Sequence, residues 1–167
     1  ERFYAARGLR PVVAVAPAED HFALDAALDA AGWVAEGHTD VLVGESAALV
    51  LPAAGGVERV DPAHWPNAPI RDEVLSRSRD EVLAFAEGQS GAVLCIRTGA
   101  LAGVFRLHVA PHAQRQGVAS RLLAACATVA PVLYAQVETD NAPAQALFAS
   151  AGFTCSHGYH YRSKRPG

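Results

Sequence analysis

The stretch Val109-Ala-Pro-His-Ala-Gln-Arg-Gln-Gly-Val-Ala119 decides how the rest of this chain is read. It follows an extended apolar run, Leu101 to Val109, and opens a helical run, Val118 to Val129, so its Gln/Arg/Gly turn falls where a strand passes into a helix. A helix start carries unpaired N–H groups and the positive end of the helix dipole. The turn is therefore suited to an anion such as a pyrophosphate. Gly117 lets the backbone come close to phosphate oxygens, and the small Ala119 leaves room beside the first helical turn. Neither a Gly-Lys-Ser/Thr phosphate loop nor a Gly-x-Gly-x-x-Gly dinucleotide fingerprint is present.

A second segment continues the pattern. Val132-Leu-Tyr-Ala-Gln-Val-Glu-Thr139 has the β-branched and apolar content of a strand. Asp140-Asn-Ala-Pro-Ala-Gln-Ala-Leu-Phe-Ala-Ser-Ala-Gly-Phe153 then reads as a helix: Asp140 or Asn141 caps it, Pro143 fits its first turn and Gly152 stops it. The tail Tyr159-His-Tyr-Arg162 reads as one more strand.

Behind Pro111, Gln114-Arg115-Gln116-Gly117-Val118-Ala119 resembles the acyl-CoA signature (Gln/Arg-x-x-Gly-x-Gly/Ala) of the GNAT N-acetyltransferase superfamily. The run from Asn141 to Phe153 resembles that family's second cofactor motif, Asn-x-x-Ala-x-x-Leu-Tyr-x-x-x-Gly-Phe, and the tail resembles its closing strand. The resemblance implies an α/β (α+β) fold with a mixed, mostly antiparallel central sheet flanked by helices and a strand–loop–helix acyl-CoA site. It implies acetyl-CoA as cosubstrate, without a metal, and direct attack of an amine on the thioester. Carried over residue by residue, it implies cofactor contacts from Leu107, His108 and Val109 on the strand and from Gln114, Arg115, Gln116, Gly117, Val118, Ala119 and Ser120 at the turn. Asn141, Ala144 and Phe148 follow on the second helix, Asn141 beside the pantetheine arm.

Phe148 stands where family members often carry a tyrosine acid. Protonation of the leaving group then falls to Tyr159, Tyr161 or water, or does not precede release; a free thiol has a pKa near ~8.5, so an unassisted thiolate is a tolerable leaving group. The resemblance implies that the strand end splays open beside the acetyl group, which makes Glu138 a candidate general base. A backbone N–H near Val109 would steady the developing oxyanion. Plainer readings stand beside these: Arg115 and Gln116 as solvated helix-start residues, Arg121 as surface decoration, Asn141 as a cap only, His108 as a core or edge histidine, Glu138 as a solvated side chain.

The chain has 167 residues, 51% of them hydrophobic, enough for one good core or one domain with an appended piece. A net charge of −3 argues against a nucleic-acid surface. No apolar run approaches the ~20 residues of a membrane span and no signal peptide is visible, so a cytoplasmic protein is expected. Glu1 as first residue and the absence of methionine suggest that the natural start lies elsewhere; abundant alanine and Lys164 as the sole lysine suggest a GC-rich coding source. Cys95, Cys126 and Cys155 lie in apolar elements at wide spacing and read as buried free thiols. The seven histidines have no companion ligands at metal spacing; His157 and His160 would point to opposite faces of a strand, and His108 and His112 straddle the turn.

A shift of 120 positions sets Pro11-Val-Val-Ala-Val-Ala-Pro-Ala-Glu-Asp20 on Pro131-Val-Leu-Tyr-Ala-Gln-Val-Glu-Thr-Asp140 without a gap. In the same register Leu28 falls on Phe148, Ala31-Gly32-Trp33 on Ala151-Gly152-Phe153, and Thr39 to Val43 on Tyr159 to Ser163. Identities are few and alanine inflates such matches, yet an internal repeat is the better account. Residues 1–51 then form the second half of an earlier acetyltransferase-like unit, without a cofactor loop, and residues 57–167 form the complete unit. Leu51 to Gly56 reads as a linker and Val57 to Val60 as a short strand, followed by a helical region from Asp61 to about Arg79 that Pro66 and Pro69 interrupt. Glu81 to Ala86, Ala92 to Ile96 and Leu101 to Val109 suggest an antiparallel meander, although the first of these could continue the preceding helix. The expected function is acetyl transfer to a small-molecule or exposed protein amine. A non-catalytic acetyl-CoA-binding module and a structural half-repeat with a vestigial loop are the alternatives. No nucleic-acid or membrane partner is expected, and the chain is expected to be a monomer or homodimer.

Overall fold

The computed structural model describes residues 2–62 and 80–164. The chain is α/β, with eight strands in a mixed, mostly antiparallel arrangement flanked by helices. The expected helical region from Asp61 to Arg79 lies largely outside the described residues. The chain divides into two compact units. One comprises Glu1–Val41, Val137–Ala142 and Cys155–Gly167; the other comprises Leu42–Gln136 and Pro143–Thr154.

The larger unit is a meander feeding a crossover. Strands β3 (Glu58–Val60), β4 (Glu81–Glu87), β5 (Gly91–Thr98) and β6 (Leu101–Val109) pair antiparallel in sequence order. Glu81 to Ala86 is thus strand, and the pairing of Glu81 with Arg97 through Glu87 with Gly91 settles its assignment against a helix. Helix α3 (Val118–Ala127) follows β6, and β7 (Val132–Glu138) returns parallel to it, the connection parallel neighbours require. Val118, Leu122, Leu123, Ala125 and Cys126 are the buried positions of α3, at the spacing of a single helix face. They meet a sheet whose β5 is buried continuously from Gly91 to Cys95, as a central strand covered on both faces should be. Helix α4 (Ala142–Ser150) begins immediately after Asn141 with Pro143 in its first turn. It ends with Phe153 N–H donating to the Phe148 carbonyl at 3.0 Å.

The smaller unit contains a short helix, α1 (Arg2–Ala5), then β1 (Val12–Val15), α2 (Phe22–Ala30) and the first part of β2 (Val34–Glu45). β8 (Thr154–Ser163) pairs antiparallel with β1 and lies between β1 and β2. Side chains alternate along β8, so His160 and Arg162 share a register with α2 while Tyr159 and Tyr161 share the other. Arg162 is only 8% exposed, and its charge is fully met. Its Nε and a terminal nitrogen donate to the two Asp25 carboxylate oxygens at 2.7 and 2.9 Å, and the other nitrogen donates to Asp29 at 2.8 Å and to the Trp33 carbonyl at 3.0 Å. His160 Nε2 lies 2.7 Å from Asp25, and the His160 ring stacks on His38 with centroids 5.1 Å apart. The starts of β1, α2 and β2 (12, 22, 34) precede those of β7, α4 and β8 (132, 142, 154) by 120 residues in each case.

Of the three cysteines, Cys95 and Cys126 are buried free thiols; their mutual contact, then burial, push the Cys126 thiol up. Cys155 is exposed, contrary to expectation, because Thr154 to Ser156 of β8 stay on the surface before the strand gains cover. No helix of the described residues is long and apolar enough to cross a membrane.

Hydrogen bonds from Arg162 and then His160 hold the Asp25 carboxyl well below the usual carboxylate range. A depressed folded-state pKa stabilises fully above the unfolded value, near ~3.9, and that stabilisation erodes as pH falls below it. Thermal melts of wild type and Asp25→Asn at pH 7, 5 and 3 should show the wild type ahead by a margin that is constant at the upper two values and shrinks at pH 3. A margin independent of pH contradicts the ion-pair assignment.

Candidate functional site

The β6–α3 junction is shaped by three local choices. Toward β7, the ladder runs from Leu101↔Val132 to Val104↔Ala135 and stops, whereas β6 continues to Val109. Toward β5, the register slips by one residue between Ala92 and Leu94, opposite Arg106 at φ 51°, which marks a β-bulge. Pro111 then starts a single 3-10 turn, Pro111–Ala113, and residues 114–117 form the turn that enters α3.

Gly117 precedes the helix at φ 77°, ψ 3°, the left-handed conformation that favours glycine. A Cβ at this position would lie 3.0 Å from a terminal nitrogen of Arg121. Arg121 N–H donates to the Gly117 carbonyl at 3.0 Å, opening the helical ladder, so the N–H groups of Val118, Ala119 and Ser120 have no carbonyl one turn back. With the dipole of a ten-residue helix behind them, these groups suit an anion.

The turn's side chains divide into tied and available. Gln116 Nε2 donates across the turn to the His112 carbonyl at 2.9 Å. Arg121 donates to both carboxylate oxygens of Glu87 at 2.7 and 2.8 Å and to the Gln116 carbonyl at 3.0 Å, so it is no surface decoration. The Arg121 hydrogen bonds hold the Glu87 carboxyl below its ordinary value. Gln114 and Arg115 are exposed, and neither makes a side-chain hydrogen bond or ion pair among the described residues. Arg115 sits at φ 61°, a left-handed conformation for a residue that has a Cβ.

The sequence profile of the Acetyltransferase (GNAT) family matches residues 58–153, more than half of the chain. The chain belongs to the GNAT acetyltransferase family. Among solved structures, a GCN5-related N-acetyltransferase from Kribbella flavida shares the fold at a TM-score of 0.64 and 13% identity, over 99% of this chain and 72% of that one. A tandem GNAT protein from the clavulanic acid biosynthesis pathway matches at 0.59 and 13%, over 95% and 64%. A GCN5-related N-acetyltransferase from Sphaerobacter thermophilus matches at 0.59 and 16%, over 86% and 57%. The chain thus spans 57–72% of the length of these three proteins. No curated protein matches it.

In this GNAT chain the larger unit brings Leu107, His108 and Val109 at the end of β6 into line with Gln114 to Gly117 and with Val118, Ala119 and Ser120 of α3. His108 is exposed, paired by backbone to Ala92, which fits its strand position without a core role. Ala144 and Phe148 lie on α4 in the same unit; Phe148 is buried, edge-on to Phe153 at 5.0 Å. The smaller unit holds Glu138, Asn141, Tyr159 and Tyr161. Glu138 lines an open cavity of about 400 Å3 with Gly37, His38, Thr139 and Asp140. Tyr159 and Tyr161 meet edge to face at 5.6 Å, and the hydrogen bond with Tyr159 raises the Tyr161 phenol above its ordinary value. Glu87 escaped the sequence reading; it lies 34 residues from Arg121, and nothing local in either segment announces the pair.

Replacing Arg115 by glycine removes a left-handed Cβ penalty of roughly 1–2 kcal/mol. Against this stands a backbone-entropy cost of roughly 0.5–1 kcal/mol. Arg115→Gly should therefore not lower the urea unfolding midpoint; a clear fall would show that the arginine has a structural role.

Proposed function

We propose that this chain transfers an acetyl group from acetyl-CoA to an amine by direct attack. The observation that supports it most is the β6–α3 turn, where a left-handed Gly117, three N–H groups without a partner among the described residues and an exposed Arg115 lie together in a GNAT chain. In this reading the Val118, Ala119 and Ser120 N–H groups hold the pyrophosphate, and Arg115 adds its guanidinium from the solvent side. Gln114, Gln116 and Gly117 shape the turn, while Asn141, Ala144 and Phe148 carry the α4 side of the site. Acetyl-CoA supplies the activated acyl group.

Beyond Val104 the described ladder gives β6 no β7 partner, and the bulge at Arg106 re-aims the backbone of Leu107, His108 and Val109. An N–H of this segment is our candidate donor to the thioester carbonyl oxygen. Glu138, in its open cavity, is our candidate acceptor of the amine proton, and Tyr161, kept protonated by its Tyr159 hydrogen bond, our candidate donor to the leaving thiolate. The net charge of −3 suits a cationic amine, whether small molecule or protein side chain. We further propose that residues 1–51 are half of an earlier unit, related to the acetyltransferase unit at 57–167 by the common offset of their elements. The reaction needs no metal, and a monomer or homodimer would suffice for it.

Calorimetric titration with acetyl-CoA tests this function. Saturable binding is expected for the wild type, abolished in a folded Gly117→Glu variant, which puts bulk and negative charge into the turn. Absence of binding by the wild type would overturn the proposal.

A further inference from the structure

The role of Arg121 follows from the geometry of one peptide group. The peptide bond between Gln116 and Gly117 is planar and trans, so its C=O and N–H point in opposite directions. Arg121 holds the Gln116 carbonyl at 3.0 Å, and the Gly117 N–H therefore points away from Arg121. The guanidinium is itself fixed by a two-point ion pair to Glu87, at the end of β4, with the two side chains only 26% and 19% exposed. The turn after Glu87 is locked onto the same junction: Ala110 N–H donates to the Ser90 carbonyl at 2.8 Å. At Gly91 a Cβ would lie 2.7 Å from the His108 carbonyl and 2.9 Å from Val118. Sheet, turn and helix start thus meet without slack.

We infer that Glu87 and Arg121 form a brace that aims the Gly117 N–H at the pyrophosphate, so that Arg121 is a positioning residue and not a phosphate ligand. This rests on the proposed acetyl-CoA site. The charge of Arg121 is paired with Glu87 through two of its nitrogens, and the third nitrogen donates to a carbonyl. The direct-ligand alternative makes the opposite prediction for Glu87: removing the carboxylate would free the arginine and tighten binding, whereas in the brace it loosens the guanidinium and weakens binding.

Acetyl-CoA and S-acetylpantetheine, which lacks the pyrophosphate, are titrated into wild type, Glu87→Gln, Arg121→Lys and the double variant, with the Gly117 N–H order parameter recorded by 15N relaxation in each unliganded protein. The expected result is a roughly three- to tenfold weaker acetyl-CoA affinity in each single variant, the effect of about one ordinary hydrogen bond. The double variant should lose little more, S-acetylpantetheine affinity should not change, and the Gly117 N–H order parameter should fall. Unchanged or tighter acetyl-CoA binding by Glu87→Gln overturns the brace, as does an equal loss for S-acetylpantetheine. If the wild type binds no acetyl-CoA, the functional proposal fails by itself. The Gly117 order parameter then decides the brace: lower in Glu87→Gln supports it, unchanged overturns it.

Discussion

A helix that starts directly from a strand end must turn the chain within a few residues while leaving its first N–H groups unpaired. In this protein the turn closes at Gly117, and the left-handed backbone there is what allows α3 to begin without a side-chain cap. The remainder of the larger unit makes that geometry rigid. Leu122, Leu123 and Cys126 are fully buried from α3, and Val93 and Cys95 fully buried from β5, so the helix axis is fixed by packing and not by its own modest length. A rigid axis gives the free N–H groups a fixed direction. That fixity separates an anion site from an ordinary helix end.

Local chemistry made much of this legible in the sequence. The glycine of the turn, the proline in the first turn of α4, and the three apolar runs of the meander each carry their signal within a few residues. The segment Glu81 to Ala86 did not, because Glu-Val-Leu-Ala-Phe-Ala suits a helix as well as a strand, and only its pairing with β5 decides the matter. Long-range polar pairs were illegible for the same reason. Arg162 finds Asp25 137 residues away, and Arg121 finds Glu87 34 residues away; neither acid differs locally from a solvated one. Cys155 illustrates the converse: an apolar neighbourhood in sequence does not guarantee cover when only part of a strand is protected.

An offset of 120 residues separates the starts of three pairs of elements. The two helices at that offset, α2 and α4, solve burial differently. α4 buries Phe148 against Phe153, while α2 has no buried residue and is held through Asp25 and Asp29 to Arg162. An apolar contact secures one helix and charge secures the other. The cost of burying Arg162 is offset by four hydrogen bonds, an arrangement that tolerates no missing partner.

The proposed function stands on the first N–H groups of α3 and the Gly117 turn holding the pyrophosphate of CoA. The most direct measurement is a backbone amide NMR titration of the 15N-labelled chain with CoA. The largest shifts are expected on the amides from Arg115 to Ser120, with saturation. Shifts centred elsewhere in the chain, or none at saturating CoA, would contradict it.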